Sequence, residues 1–166
     1  MTERDVFAEA GTQARERARV AVLHLVQDVV GDDGLREVPM WHGARTWERR
    51  PEPRLGLQAA LRLHTEAMAQ ARRYVQQLRA AGVGWLDIAA DVRRDPEVDG
   101  TEAGEVFEQF AVPDEAHPSW LSWRCDACGE RVIDYGPWNA HPEDIERGHA
   151  QDCARHAADI RAYETT

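Results

Sequence analysis

The stretch WRCDACGERVIDYGPWNAHPEDIERGHAQDC, residues 123–153, holds every cysteine of the chain and decides how its C-terminal third folds. Cys125 and Cys128 are separated by two residues, and His149 and Cys153 by three, with twenty residues between the two pairs. A Cys-x2-Cys turn followed by glycine lets two thiolates converge on one ion, and a second pair closes a tetrahedral shell of three sulfurs and one nitrogen. The spacing predicts a structural zinc site made by Cys125, Cys128, His149 and Cys153. His156, three residues beyond Cys153, is the other histidine able to supply the nitrogen; His149 ranks first because x3 is the commoner helical spacing. RVIDYG supplies a returning strand. A helix is expected from about Pro142, with Glu143, Asp144 and Glu146 at its positive end and His149 and Cys153 on one face. His141 precedes it as a cap.

Four protein ligands close the coordination shell and leave no place for a reactive water, which argues against catalysis. The run His-Pro-Glu at 141–143 matches part of the zinc deaminase signature, but there it precedes the cysteine pair and here it follows. The chain also lacks a glycine-rich phosphate loop and a GxSxG elbow, so no enzyme activity is expected.

Charge narrows the partners. All 20 basic residues are arginine, against 30 acidic ones, giving a net charge of −10. Residues 1–100 hold 16 acidic and 15 basic side chains; residues 101–166 hold 14 and 5, so the acidity belongs to the C-terminal third. Such a chain has no long-range attraction for phosphate. The charged start MTERDVFAEAG does not read as a signal peptide, and no apolar run approaches membrane-spanning length, so neither is expected. A cytoplasmic protein without membrane association is expected, in which clustered cysteines are metal ligands rather than disulfides.

Upstream, Phe7, Ala10, Ala14, Ala18, Ala21, Leu25 and Val29 recur at helical spacing, and so do Leu57, Leu61, His64, Met68, Ala71, Val75 and Leu78. Two long amphipathic helices are predicted, their seams packed on each other or across a homodimer, with His24 and His64 partly buried. The proline- and arginine-rich segment between them, carrying Trp41 and Trp47, is expected to wrap the body or to contain a short element.

In LRAAGVGWLDIAADVRRDPEVDGTEAGEVFEQF, residues 78–110, a helix ends at Gly82, a second carries Trp85, Ile88, Ala89 and Val92 inward, and a third starts near Thr101 behind an Asp99/Glu102 capping box. This run resembles the helix-turn-helix of sigma-factor-like and phage-type regulators, and the C-terminal segment resembles zinc modules of small actinobacterial and phage regulatory proteins. The resemblance implies a regulatory protein with DNA as one partner. The link RRDPEVDG is longer than the usual turn, and the third helix presents Glu102, Glu105 and Glu108 where base readers carry Arg, Lys, Asn or Gln. Phosphate contact would therefore fall to Arg72, Arg73, Arg79, Arg93 and Arg94.

The resulting expectation is a mainly α protein. A helical body spans 1–111, with the helix-turn-helix-like unit at about 71–111. A linker follows at 112–119, and then a small ββα-type zinc module at 120–163. Its acidic surface, bearing Trp120, Trp123 and Trp138, suits a protein partner.

Overall fold

The computed structural model describes residues 3–113, 118–138 and 141–165, with side chains from Gly11 onward. Helix α1 (Glu3–Val30) is followed by strands β1 (Leu35–Pro39) and β2 (Trp47–Pro51) and by a second long helix, α2 (Pro53–Ala80). Helices α3 (Trp85–Arg93) and α4 (Gly100–Phe110) come next, then β3 (Leu121–Arg124), β4 (Arg131–Asp134), the single turn α5 (Pro142–Ile145), β5 (Glu146–Arg147) and α6 (Ala154–Glu164). The protein is mainly helical with two small antiparallel sheets. It forms two compact units, Met1–Ala67 and Met68–Thr166. Among the described residues, no helix is long and apolar enough to cross a membrane.

In the first unit, the segment between the long helices is a hairpin, β1 pairing antiparallel with β2 from Leu35↔Pro51 to Pro39↔Trp47. A two-stranded ribbon wet on both faces needs no alternation of apolar and polar residues, so LREVP and WERRP carry little strand signal. Trp41 and Trp47 are not tucked in; they stand 62% and 59% exposed. The end of α1 meets the start of α2, where Leu25, Val26, Val29, Val30, Leu55 and Ala59 line an apolar cleft of about 180 Å³. The expected seams do not close along their length. Phe7 and Ala10 fall outside the described side chains, Ala14 and Ala18 are exposed, and Leu57 and Leu61 are 61% and 57% exposed. His24 and His64, expected partly buried, are also exposed.

The second unit buries the rest of the α2 seam. Met68, Ala71, Val75 and Leu78 join a core made with Trp85, Ile88 and Ala89 of α3, Ala103, Val106, Phe107 and Phe110 of α4, and Leu121, Trp123, Cys125, Val132 and Cys153 of the C-terminal segment. Helical spacing of apolar residues on α3 and α4 turns one face of each inward. The expected capping box is present at the start of α4: Asp99 Oδ1 accepts from the backbone N–H of Thr101 and Glu102, at 2.8 and 3.0 Å, while the Glu102 carboxylate accepts from Asp99 N–H. Phe107 packs edge-on to Trp85, 5.1 Å between centroids, and presses on Gly136. A Cβ there would lie 2.7 Å from the Phe107 ring, and its φ of +99° also favours glycine.

The cysteine-bearing segment therefore shares a core with the helices instead of forming its own. The unit boundary lies within α2, not at 112–119. Residues 114–117 of that expected linker are outside the described ones, and at its edges Val112 and Trp120 exchange backbone hydrogen bonds. The three-stranded sheet runs β3-β4-β5, with Trp123↔Val132 and Asp134↔Glu146 in register. The ββα order is thus interrupted by α5 and a third strand. One continuous helix through His149 does not form.

Candidate metal centre

The β3–β4 turn makes the first half of the site. Cys125 accepts at its carbonyl from Gly129 N–H (2.7 Å) and donates its own N–H to Glu130 (2.9 Å), curling Cys128 back beside Cys125. Arg124 adds a hydrogen bond to the Gly129 carbonyl. The second half comes from the loop between β5 and α6. His149 sits in that loop and Cys153 is the residue that precedes α6, so the two do not share a helical face as expected. Gly148 separates them from α5 and β5: its φ is +104°, and a Cβ there would lie 2.5 Å from the carbonyl oxygen of Arg131. That approach locks the loop onto β4 and carries His149 over the knuckle.

The result is convergence. One ligand atom from each of Cys125, Cys128, His149 and Cys153 lies within 4.8 Å of all the others, so the four can hold a metal ion. Cys125 Sγ is 3.9 Å from Cys153 Sγ, and Cys128 Sγ is 3.8 Å from His149 Nδ1. A tetrahedral ion with metal–sulfur bonds of about 2.3 Å has sulfur–sulfur edges of about 3.8 Å, whereas a disulfide would need about 2.05 Å. Cys125 and Cys153 are 0% and 3% exposed and the His149 side chain 2%, while Cys128 is half-buried and forms the outer edge of the shell.

The thiols are not equivalent. Cys128 is drawn down to about 6, chiefly by the backbone N–H of Ala150 and further by that of Glu130 and by His149, all of which favour its thiolate. Burial pushes Cys153 upward instead, and its sulfur neighbours add to the effect.

Behind the ligands lies a buried ionic network. Glu146 Oε2 is 3.1 Å from His149 Nε2, and the same carboxylate takes hydrogen bonds from Arg79 and Arg155. Arg79 also donates from Nε to Asp134 Oδ2 (2.8 Å) and from Nη1 to the carbonyl of Val83. Asp134 in turn accepts from the indole N–H groups of Trp85 and Trp123 and from Gly136 N–H. Burial works to raise the Glu146 carboxyl, but the two guanidiniums and His149 outweigh it and hold the carboxyl below its ordinary value. Arg155, which shares Glu146 with Arg79, also stacks 4.6 Å over Trp123.

The other expected residues divide clearly. His156 does not join the cysteines; its ring stacks on His149 at 4.4 Å, and its Nδ1 is buried without a hydrogen-bond partner. His141 caps α5, accepting from Glu143 N–H. Arg79 is only 4% exposed and spent on two carboxylates, which removes it from any phosphate-facing set. Arg93 pairs with Glu102 and Glu105 of α4, and Arg72 donates to the carbonyl of Ala111. Arg73 is exposed, and Arg94 ends α3 in the left-handed region. Trp123 is buried at 4% and Trp120 half-buried, leaving Trp138 as the exposed tryptophan of the three, at 46%. Glu146, Arg79 and Asp134 were not singled out from the sequence as parts of the site. The only local trace is Glu146, three residues before His149.

Comparison with family models, with curated proteins and with solved structures gives no match.

Proposed function

We propose that this chain is a non-enzymatic regulatory or adaptor protein whose second unit is organised by a structural zinc ion and which acts by binding another protein. The observation that carries the zinc assignment is the closed Cys3His set, with Cys125 and Cys153 buried and Cys128 half-buried. Three sulfurs and one imidazole at tetrahedral spacing suit zinc, and a full protein shell leaves no open position for substrate. A protein partner, rather than DNA, is supported by the charge of residues 101–166, 14 acidic against 5 basic, and by the use of Arg79 and Arg93 in internal ion pairs. The carboxylates of α4 repel phosphate.

Metal analysis of the purified chain tests the first part; the expected result is one zinc per chain, and a metal-free, fully folded protein overturns it. A mobility-shift series on nonspecific duplex DNA tests the second. An adaptor gives no retardation even at low salt, whereas a DNA-binding regulator gives affinity that falls steeply as salt rises.

A further inference from the structure

A histidine ligand needs one ring nitrogen stripped of its proton and aimed at the metal, and some group must decide which. In this protein the deciding group is identifiable from hydrogen-bond capacity alone. An ionised carboxylate only accepts. Glu146 receives Arg79 and Arg155, each of which only donates, so nothing in its surroundings asks it for a proton. The hydrogen between Glu146 Oε2 and His149 Nε2, 3.1 Å apart, must then sit on the imidazole. Nε2 is the protonated nitrogen, and the lone pair is left on Nδ1, the atom 3.8 Å from Cys128 Sγ.

We infer that Glu146 is the positioning residue of the metal centre: its carboxylate, anchored by Arg79 and Arg155, takes the Nε2–H of His149 and so commits Nδ1 to the ion. This rests on the zinc assignment above. The anchoring is what makes the selection firm. Arg79 is 4% and Glu146 8% exposed, so neither has water as a substitute partner. Arg79 is itself held by Asp134, whose oxygens also accept from two indoles and the Gly136 N–H. Trp123 stands edge-on to the His149 ring at 5.6 Å and His156 stacks on it at 4.4 Å, so the imidazole cannot swing to offer its other nitrogen without displacing both. The chain of contacts runs from α2 through β5 to a ligand atom; His156 also lies within 4.8 Å of Glu146, but its Nδ1 is buried without a hydrogen-bond partner.

The test uses the full chain loaded with zinc. A long-range proton–nitrogen NMR spectrum of the imidazole rings is expected to show His149 protonated at Nε2 and metal-bound at Nδ1. Competition against a chromophoric chelator is expected to show zinc held about 10–100-fold more weakly in Glu146→Gln, and the Co2+-loaded variant is expected to show an altered ligand-field spectrum. Binding through Nε2, or through His156, overturns the inference while leaving the zinc assignment intact. Unchanged affinity and an unchanged Co2+ spectrum in Glu146→Gln overturn it as well. Absence of stoichiometric zinc from the wild-type chain instead sinks the assignment on which the inference stands. The NMR measurement needs no variant, so the outcome does not depend on whether Glu146→Gln folds.

Discussion

Arg79 and Asp134, 55 residues apart in the chain, form a buried ion pair, Nε to Oδ2 at 2.8 Å, in the middle of the second unit. The guanidinium also reaches Glu146 and the Val83 carbonyl, and it lies 5.5 and 5.6 Å from the ring centroids of Trp85 and Trp123. One side chain of α2 thereby gathers α3, β3, β4 and β5.

Removing it strands the Asp134 carboxylate without its cation and leaves Glu146 with Arg155 alone. Arg79→Met is expected to destabilise the second unit by about 3–5 kcal/mol, the usual cost of stranding a buried charge. Chemical denaturation followed by tryptophan fluorescence measures this. A loss below about 1 kcal/mol would mean that the pair is solvated in solution.

Because Cys125 and Cys153 belong to the same core as Phe107 and Leu121, metal removal should not melt a small finger by itself. Chelation is expected to lower the melting temperature of the whole second unit in one cooperative step, seen by calorimetry. A separate low-temperature transition confined to residues after 120, with α3 and α4 untouched, contradicts the shared core.

Acid should release the ion with a defined pH profile. A thiol must lose its proton to bind metal, so affinity falls as pH drops through the pKa of each ligand. Cys128, at about 6, is already largely thiolate at pH 7, while Cys153 is held above the ordinary thiol value and gives up a proton on binding. As the pH falls through about 6, Cys128 passes from mostly thiolate to mostly protonated in the metal-free protein. The slope of log affinity against pH should therefore steepen there by about one further factor of ten per unit. Zinc competition titrations between pH 5 and 8 check this; a single unbroken slope refutes it.

Gly148→Ala tests the loop that carries His149. The new Cβ would meet the Arg131 carbonyl oxygen at 2.5 Å, in a backbone conformation with φ of +104°. The loop has to lift from β4, at a cost of about 1–3 kcal/mol, and zinc affinity should fall with it. Gly43→Ala is the matched control: it has a similar φ of +82° with nothing near its Cβ, and it lies in the other unit. It should leave zinc binding unchanged.

How much of this was legible beforehand depends on whether a feature is local. The ligand set is a matter of residue type and spacing over 29 positions, and Cys125, Cys128, His149 and Cys153 do meet. The long helices and the capping box at Asp99 also follow from short-range rules of periodicity and end-group satisfaction. The helix through His149 did not form, because the constraint at Gly148 is the Arg131 carbonyl, a group on another strand. The hairpin at 35–51 was hidden because its two faces are both wet.

What the sequence by itself determined is therefore a chemistry: three sulfurs and a nitrogen at the spacing of one closed shell. What only the tertiary structure decided is the company that shell keeps. An arginine on an amphipathic helix reads as a solvated charge until two carboxylates arrive 55 and 67 residues later to replace its water. No periodicity in the chain encodes that meeting, because burying a charge is tolerable only when its partners are brought to it by folding.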